Sequence, residues 1–140
     1  MKNKCFVDTN ILVYAHDRAA GSKRERALNL IEQLWTSGLG VLSTQVLQEL
    51  CVNLRRKVAP ALPVEDVVSL LRDYLTWEIV VNDANSAIKA LEIEARHKLS
   101  FWDALIIQAA EQSGATVLYS EDLAAGTKYG LLEVVNPLIE

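Results

Sequence analysis

Short apolar runs rich in β-formers alternate along this chain with longer stretches in which apolar residues recur every three or four positions. Residues 4–8 (Lys-Cys-Phe-Val-Asp) predict a buried strand that ends on a carboxylate, and residues 11–16 predict a short helix after it. Ser22-Lys23-Arg24-Glu25 reads as a capping box, after which Ala27, Leu28, Ile31, Leu34 and Trp35 follow at helical spacing. Residues 38–43 predict a second strand, and a helix with Leu47, Leu50, Cys51 and Leu54 on one stripe succeeds it. Pro63 in a first turn opens a further helix carrying Val67, Leu70, Leu71 and Tyr74. Residues 78–81 predict a third strand. Asp83 caps a helix that runs to about Leu99, and Ser100 opens another that Gly114 ends. Residues 116–119 and 133–135 supply the last strands. Strands parted by helices, without hairpin signals, predict an α/β fold whose parallel sheet is covered on both faces. In such sheets the ligand crevice lies outside the carboxyl ends of the strands.

The composition supports one globular domain over residues 1–140. Half the residues are hydrophobic and 23% are charged, which excludes a disordered chain. Eighteen acidic residues against fourteen basic ones give a net charge of -4, so the protein does not grip nucleic acid by bulk positive charge. That balance leaves open a route to phosphates through a bound metal ion. Cys5 and Cys51 stand in apolar runs without C-x-x-C spacing and read as buried free thiols. The first apolar run stops at Asp8, too early for a signal peptide, and no later run approaches a membrane span. A soluble, cytoplasmic chain is expected, without membrane partners.

Four carboxylates stand out. Asp8 ends the first strand and faces the crevice, or else caps the helix that follows. Glu49 points away from the apolar stripe of its helix, where a glutamate is ordinarily solvated. Asp103 lies in Ser100-Phe101-Trp102-Asp103, at the head of a helix that is apolar almost all round and therefore buried. A carboxylate there is costly unless paired, hydrogen-bonded or metal-bound, although Ser-x-x-Asp equally resembles a capping box and suits the helix dipole. Asp122 again follows a strand, as an acid at the crevice or a turn residue. Acids converging at the crevice repel one another, which is tolerable when a divalent cation sits between them. Oxygen-only ligation selects a hard ion, Mg²⁺ or Mn²⁺, and such ions serve phosphodiester cleavage.

Phe6-Val7-Asp8-Thr9-Asn10, Gln48-Glu49-Leu50, Ser100-Phe101-Trp102-Asp103-Ala104-Leu105-Ile106 and Leu118-Tyr119-Ser120-Glu121-Asp122-Leu123 occur in that order. Together with the closing Val134-Val135-Asn136-Pro137 they resemble the PIN domain, and within it the ribonuclease toxins of VapBC-type toxin–antitoxin pairs. The resemblance implies a three-layer α/β/α fold and a Mg²⁺- or Mn²⁺-dependent endoribonuclease. It also implies a homodimer held by a cognate antitoxin. The family's acidic quartet falls on Asp8, Glu49, Asp103 and Asp122. Asp8, Asp103 and Asp122 would be metal ligands, and Glu49 would bind metal or orient water. Thr9, Asn10 and the small hydroxyl residue Ser120 would support them. Glu121-Asp122-Leu123 departs from the family's basic residue–Asp–…–Phe pattern, so either Asp122 or Glu121 could face the metal.

The remaining features are weaker. His16 and His97 are isolated and read as solvated or helix-end residues. No Walker, Gly-x-Gly-x-x-Gly or Gly-x-Ser-x-Gly pattern is present. Arg55-Arg56-Lys57 and Arg96-His97-Lys98 suit helix C-termini, whereas Lys23, Arg24 and Arg26 are the better candidates for RNA. Trp35, Trp77 and Trp102 are of a type that stacks on bases, but each occupies an apolar setting and reads as core. Two rival functions stand beside the ribonuclease. One is a non-catalytic binding module of the same fold, acting through an antitoxin or nucleic-acid surface. The other is a receiver-like domain, which would need adjacent acids after the first strand and a late lysine.

Overall fold

The computed structural model of the chain describes residues 3–139. Its elements run β1 (Cys5–Val7), α1 (Thr9–His16), α2 (Ser22–Ser37), β2 (Gly40–Ser43), α3 (Thr44–Arg56), α4 (Val64–Tyr74), β3 (Glu78–Val80), α5 (Ala84–His97), α6 (Phe101–Ser113), β4 (Val117–Tyr119), β5 (Lys128–Tyr129) and β6 (Leu132–Val135). The sheet order is β3-β2-β1-β4-β6-β5. The strands from β3 to β6 pair in parallel, with Phe6 opposite Val41 on one side and Leu118 on the other.

From β1 the chain steps outward through β2 to β3, then returns past β1 to β4. Parallel crossovers are right-handed, so this reversal sends α1–α4 to one face of the sheet and α5–α6 to the other. The packing follows that division: α1 lies against α2 and α3, α3 against α4, and α5 against α6. The three-layer α/β/α arrangement and the parallel core of the sheet are thus as expected. The reversal of strand order falls between β1 and β4, where a crevice opens at the carboxyl ends. Its floor is rigid because Phe6, Leu42 and Leu118 in the sheet, Ile11 and Leu12 in α1, Leu50 in α3 and Ile107 in α6 are fully buried.

Several local expectations need correction. β5 and β6 form an antiparallel hairpin across Gly130, which has φ +62°; the short strand Lys128–Tyr129 gives too little alternation to be read from sequence. The expected capping box at Ser22 is absent. Gly21 takes the N-cap position with φ 63° and offers no side-chain cap. A reciprocal box forms instead at Asp83 and Ser86. Pro63 stands at the N-cap of α4, one position before its first turn. Cys5 and Cys51 are free but only half-buried. Trp77 is core, but Trp35 and Trp102 are 40% and 62% exposed. Among the described residues no helix is long and apolar enough to cross a membrane.

Candidate active site

β1 stops at Val7, and Asp8 takes the N-cap of α1, so its carboxylate serves both the helix and the crevice. Its Oδ1 accepts the Thr9 N–H at 2.7 Å and its Oδ2 accepts the Ser120 hydroxyl at 2.9 Å. Ser120 follows β4, is fully buried, and its Oγ in turn accepts the Leu123 N–H at 3.2 Å. One carboxylate–hydroxyl bond therefore ties together the segments that follow the paired strands β1 and β4, just beyond the reversal point. Asp8 is 7% exposed. Burial raises its pKa from the ordinary 3.8 to about 6; the Ser120 and Thr9 bonds oppose that rise, while the nearby charges of Asp122 and Glu49 add to it.

The other three acids reach the same hollow from separate elements. Glu49 on α3 is half-buried, and its Oε1 accepts the Thr9 hydroxyl at 2.7 Å. Asn53, one turn later, donates its amide to the Glu49 carbonyl at 2.8 Å. Asp122 in the loop after β4 accepts from Asn10 Nδ2 at 2.6 Å. Its pKa is raised, first by partial burial, then by the charges of Asp103 and Glu121. Asp103 enters from the first turn of α6. Ser100 caps that helix, its hydroxyl accepting the Asp103 N–H at 3.1 Å. No capping-box return from the Asp103 carboxylate occurs among the described residues. Instead Asp103 lines the hollow of ≈ 210 Å³ shared with Asp8, Glu49 and Asp122.

Glu121 points elsewhere. It accepts from Tyr14 Oη at 2.6 Å and pairs with Lys23 Nζ at 2.7 Å, and these bonds hold its pKa down. Of the two adjacent acids, Asp122 faces the hollow.

Lys23, Arg24 and Arg26 are not gathered at this hollow. Lys23 is committed to Glu121 and lies over the Tyr14 ring at 4.9 Å. Arg24 lines a separate depression with His16 and Asp66. His16 ends α1 and bonds Tyr74 Oη at 2.7 Å, and His97 ends α5. Two residues that line the acid hollow were not singled out from sequence, Gln45 and Asn53, and two others, Lys57 and the exposed Trp102, were expected at a helix end and in the core. Lys57 belongs to a basic run assigned to a helix end, and it is indeed the C-cap of α3. Gln45 carries no sequence signal beyond its place in the first turn of α3.

Among the described residues no three His, Cys, Asp or Glu side chains already stand gathered as a metal-holding cluster. The donor set nevertheless suits a hard cation. It is carboxylate throughout, Asp8 and Asp122 both hold protons more tightly because of burial and like charge, and Gln45 Oε1 is a buried acceptor without a donor. A positive ion relieves each of these costs.

A fold whose sheet reverses beside a cluster of acids defines an α/β domain with an acidic crevice. The PIN domain family model matches residues 5–125, and the chain belongs to that family. No curated protein sequence matches it. Among solved structures, it is similar to a toxin–antitoxin complex from Klebsiella pneumoniae, with TM-score 0.69 and 18% identity over 96% of this chain and 98% of that one. It is also similar to the VapC20 toxin of Mycobacterium tuberculosis, described as cleaving the sarcin–ricin loop, with TM-score 0.65 and 22% identity over 85% and 90% of the two chains. VapBC2 from Rickettsia felis, bound to a promoter DNA fragment, gives TM-score 0.64 and 21% identity over 93% and 96%.

Proposed function

We propose that the protein is a divalent-metal-dependent endoribonuclease, the toxin of a toxin–antitoxin pair, with Asp8, Glu49, Asp103 and Asp122 as its acidic site. The observation that carries this reading is the convergence of four carboxylates from the N-cap of α1, α3, α6 and the loop after β4 on one hollow at the strand-order reversal. A non-catalytic binding module has no need to gather them at such electrostatic cost.

Asp8, Asp103 and Asp122 are the side chains assigned to hold Mg²⁺ or Mn²⁺. Such an ion, when bound, activates water and stabilises charge on the phosphate. The chain's own residues prepare the site. Thr9 orients two acids together, giving its N–H to Asp8 and its hydroxyl to Glu49. Ser120 fixes the second oxygen of Asp8, and Asn10 holds Asp122. Glu49, anchored through Thr9, is the group assigned to orient the attacking water. Water then adds to phosphorus as the bond to the leaving ribose oxygen breaks. The antitoxin partner is supported by the likeness to toxin–antitoxin complexes, and a homodimeric state by the sequence resemblance alone.

The test is cleavage of RNA by the purified chain, free of any partner, with Mg²⁺, with Mn²⁺ and with EDTA. Cleavage that needs the metal and disappears in Asp8→Asn is expected. Undiminished cleavage in EDTA, shared by Asp8→Asn, would overturn the mechanism.

A further inference from the structure

Trp102 precedes Asp103 in the first turn of α6, lines the acid hollow and is 62% exposed. An indole left in water forfeits the burial that stabilises Trp77 in the core, and an aromatic face at a polar site is the kind of surface that meets a ligand. It is held in place from behind. Gln45 Nε2 donates to the Trp102 carbonyl at 3.3 Å, and the Phe101 ring meets the indole edge-on at 5.2 Å. Gln45 is itself 6% exposed, so this support is part of the folded core.

Lys57 lines the same hollow from the end of α3. Ion pairs among the described residues join Lys4 to Glu78 and Lys23 to Glu121, leaving the Lys57 ammonium without a carboxylate partner despite four acids nearby. A flat π-surface, a free ammonium and a carboxylate cluster in one hollow match a base, a flanking phosphate and, through a bound cation, a scissile phosphate.

With a net charge of -4 the chain gains little from bulk electrostatics. Stacking does not depend on net charge, and a base on an aromatic side chain adds about 5- to 150-fold in affinity. Inside a duplex both faces of a base are covered by its neighbours, and the A-form major groove is too narrow for side chains to read. Building on the ribonuclease reading above, we propose that Trp102 is the platform for one unpaired base beside the scissile phosphate, with Lys57 on the adjoining phosphate.

The full chain in Mn²⁺ is given a labelled RNA stem–loop and, separately, the same strand fully paired to its complement. Wild type cuts in the loop and leaves the duplex intact. Trp102→Ala raises KM on the stem–loop by about tenfold with a smaller change in kcat, and Trp102→Phe recovers most of the loss. Lys57→Gln raises KM and reduces the salt slope by about 0.7. The metal-induced rise in melting temperature stays as in wild type for all three. If Trp102→Ala does not fold, Trp102→Leu, apolar but without a π-face, carries the same expectation.

A Trp102→Ala enzyme with wild-type KM, or equal cutting of loop and duplex, would overturn this assignment while leaving the ribonuclease standing. So would a change in oligomeric state of Trp102→Ala on gel filtration, which would make the indole a subunit contact. A folded wild type that cuts neither RNA with Mn²⁺ would remove the ribonuclease reading and this one together.

Discussion

Replacing Asp8 by Asn tests the electrostatics of the site by sign. With its pKa raised from 3.8 to about 6, Asp8 binds a proton more tightly in the folded chain than in the unfolded one. A carboxyl raised in this way contributes stability that is present at low pH and lost as pH rises through the folded value. At about 1.4 kcal/mol per tenfold change in proton affinity, the ionised, metal-free protein at pH 7.5 carries roughly 3 kcal/mol of strain. Asparagine keeps one acceptor for the Thr9 N–H and can donate to Ser120 Oγ, but it packs an amide where a carboxylate fitted. The net gain is then about 1–2 kcal/mol, or a Tm higher by about 3–8 °C for a domain of this length. Melts in EDTA at pH 7.5 and pH 5 measure it. The variant should melt above wild type at pH 7.5, and the gap should narrow at pH 5 as Asp8 takes its proton. Excess Mg²⁺ should raise the Tm of wild type and the variant's much less, because only the intact carboxylate set gains by linkage. A variant that melts below wild type in EDTA at both pH values would refute the reasoning, leaving Asp8 a simple helix cap.

The adjacent acids after β4 should part company. Asp122→Asn should lower RNA cleavage by about a hundredfold or more, the scale of losing an electrostatic group at the reacting centre, while Glu121→Gln should keep cleavage within a few-fold, because Glu121 is spent on Tyr14 and Lys23. Equal losses in parallel rate measurements would reverse their roles. Gly40→Ala should destabilise the fold by about 1–3 kcal/mol. A Cβ there would press into Cε3 and Cζ3 of Trp77, whose ring is locked against Trp35 and Tyr74 at centroid distances of 5.3 and 5.4 Å. Denaturant unfolding reports the loss, and near-UV circular dichroism reports the displaced rings.

Much of the architecture was legible because it follows from local pattern. Buried parallel strands are short apolar runs, and amphipathic helices show their stripes, so the alternating order and the crevice both followed from periodicity and topology. Asp8 and Asp103 were visible for a related reason: each is an acid that interrupts an apolar run, where desolvation makes it conspicuous. Glu49 was not conspicuous. Its place in the hollow depends on α3 packing against α1, where the Thr9 hydroxyl forty residues away meets it, and an amphipathic stripe does not say which polar face turns inward. Trp102 misled in the opposite sense. Its apolar neighbours suggested the core, yet a first-turn position on α6 leaves the indole at the rim. The β5–β6 hairpin escaped because a two-residue strand shows no alternation, and the capping box at Ser22 was displaced when Gly21 supplied a left-handed start to α2.

The central claim is that Asp8, Asp103 and Asp122, from separate parts of the fold, hold a divalent ion, and titration of Mn²⁺ into the metal-free protein, followed by electron paramagnetic resonance, tests it most directly. Asp103 is the variant to compare, since it approaches from the helix layer opposite Glu49 and has a full alternative role as a first-turn helix acid. Wild type should take up Mn²⁺ saturably, and Asp103→Asn, folded and melting cooperatively, should bind it at least about tenfold more weakly, the loss of one charged ligand being worth more than about 1.4 kcal/mol. Equal Mn²⁺ affinity in the two proteins would contradict the account.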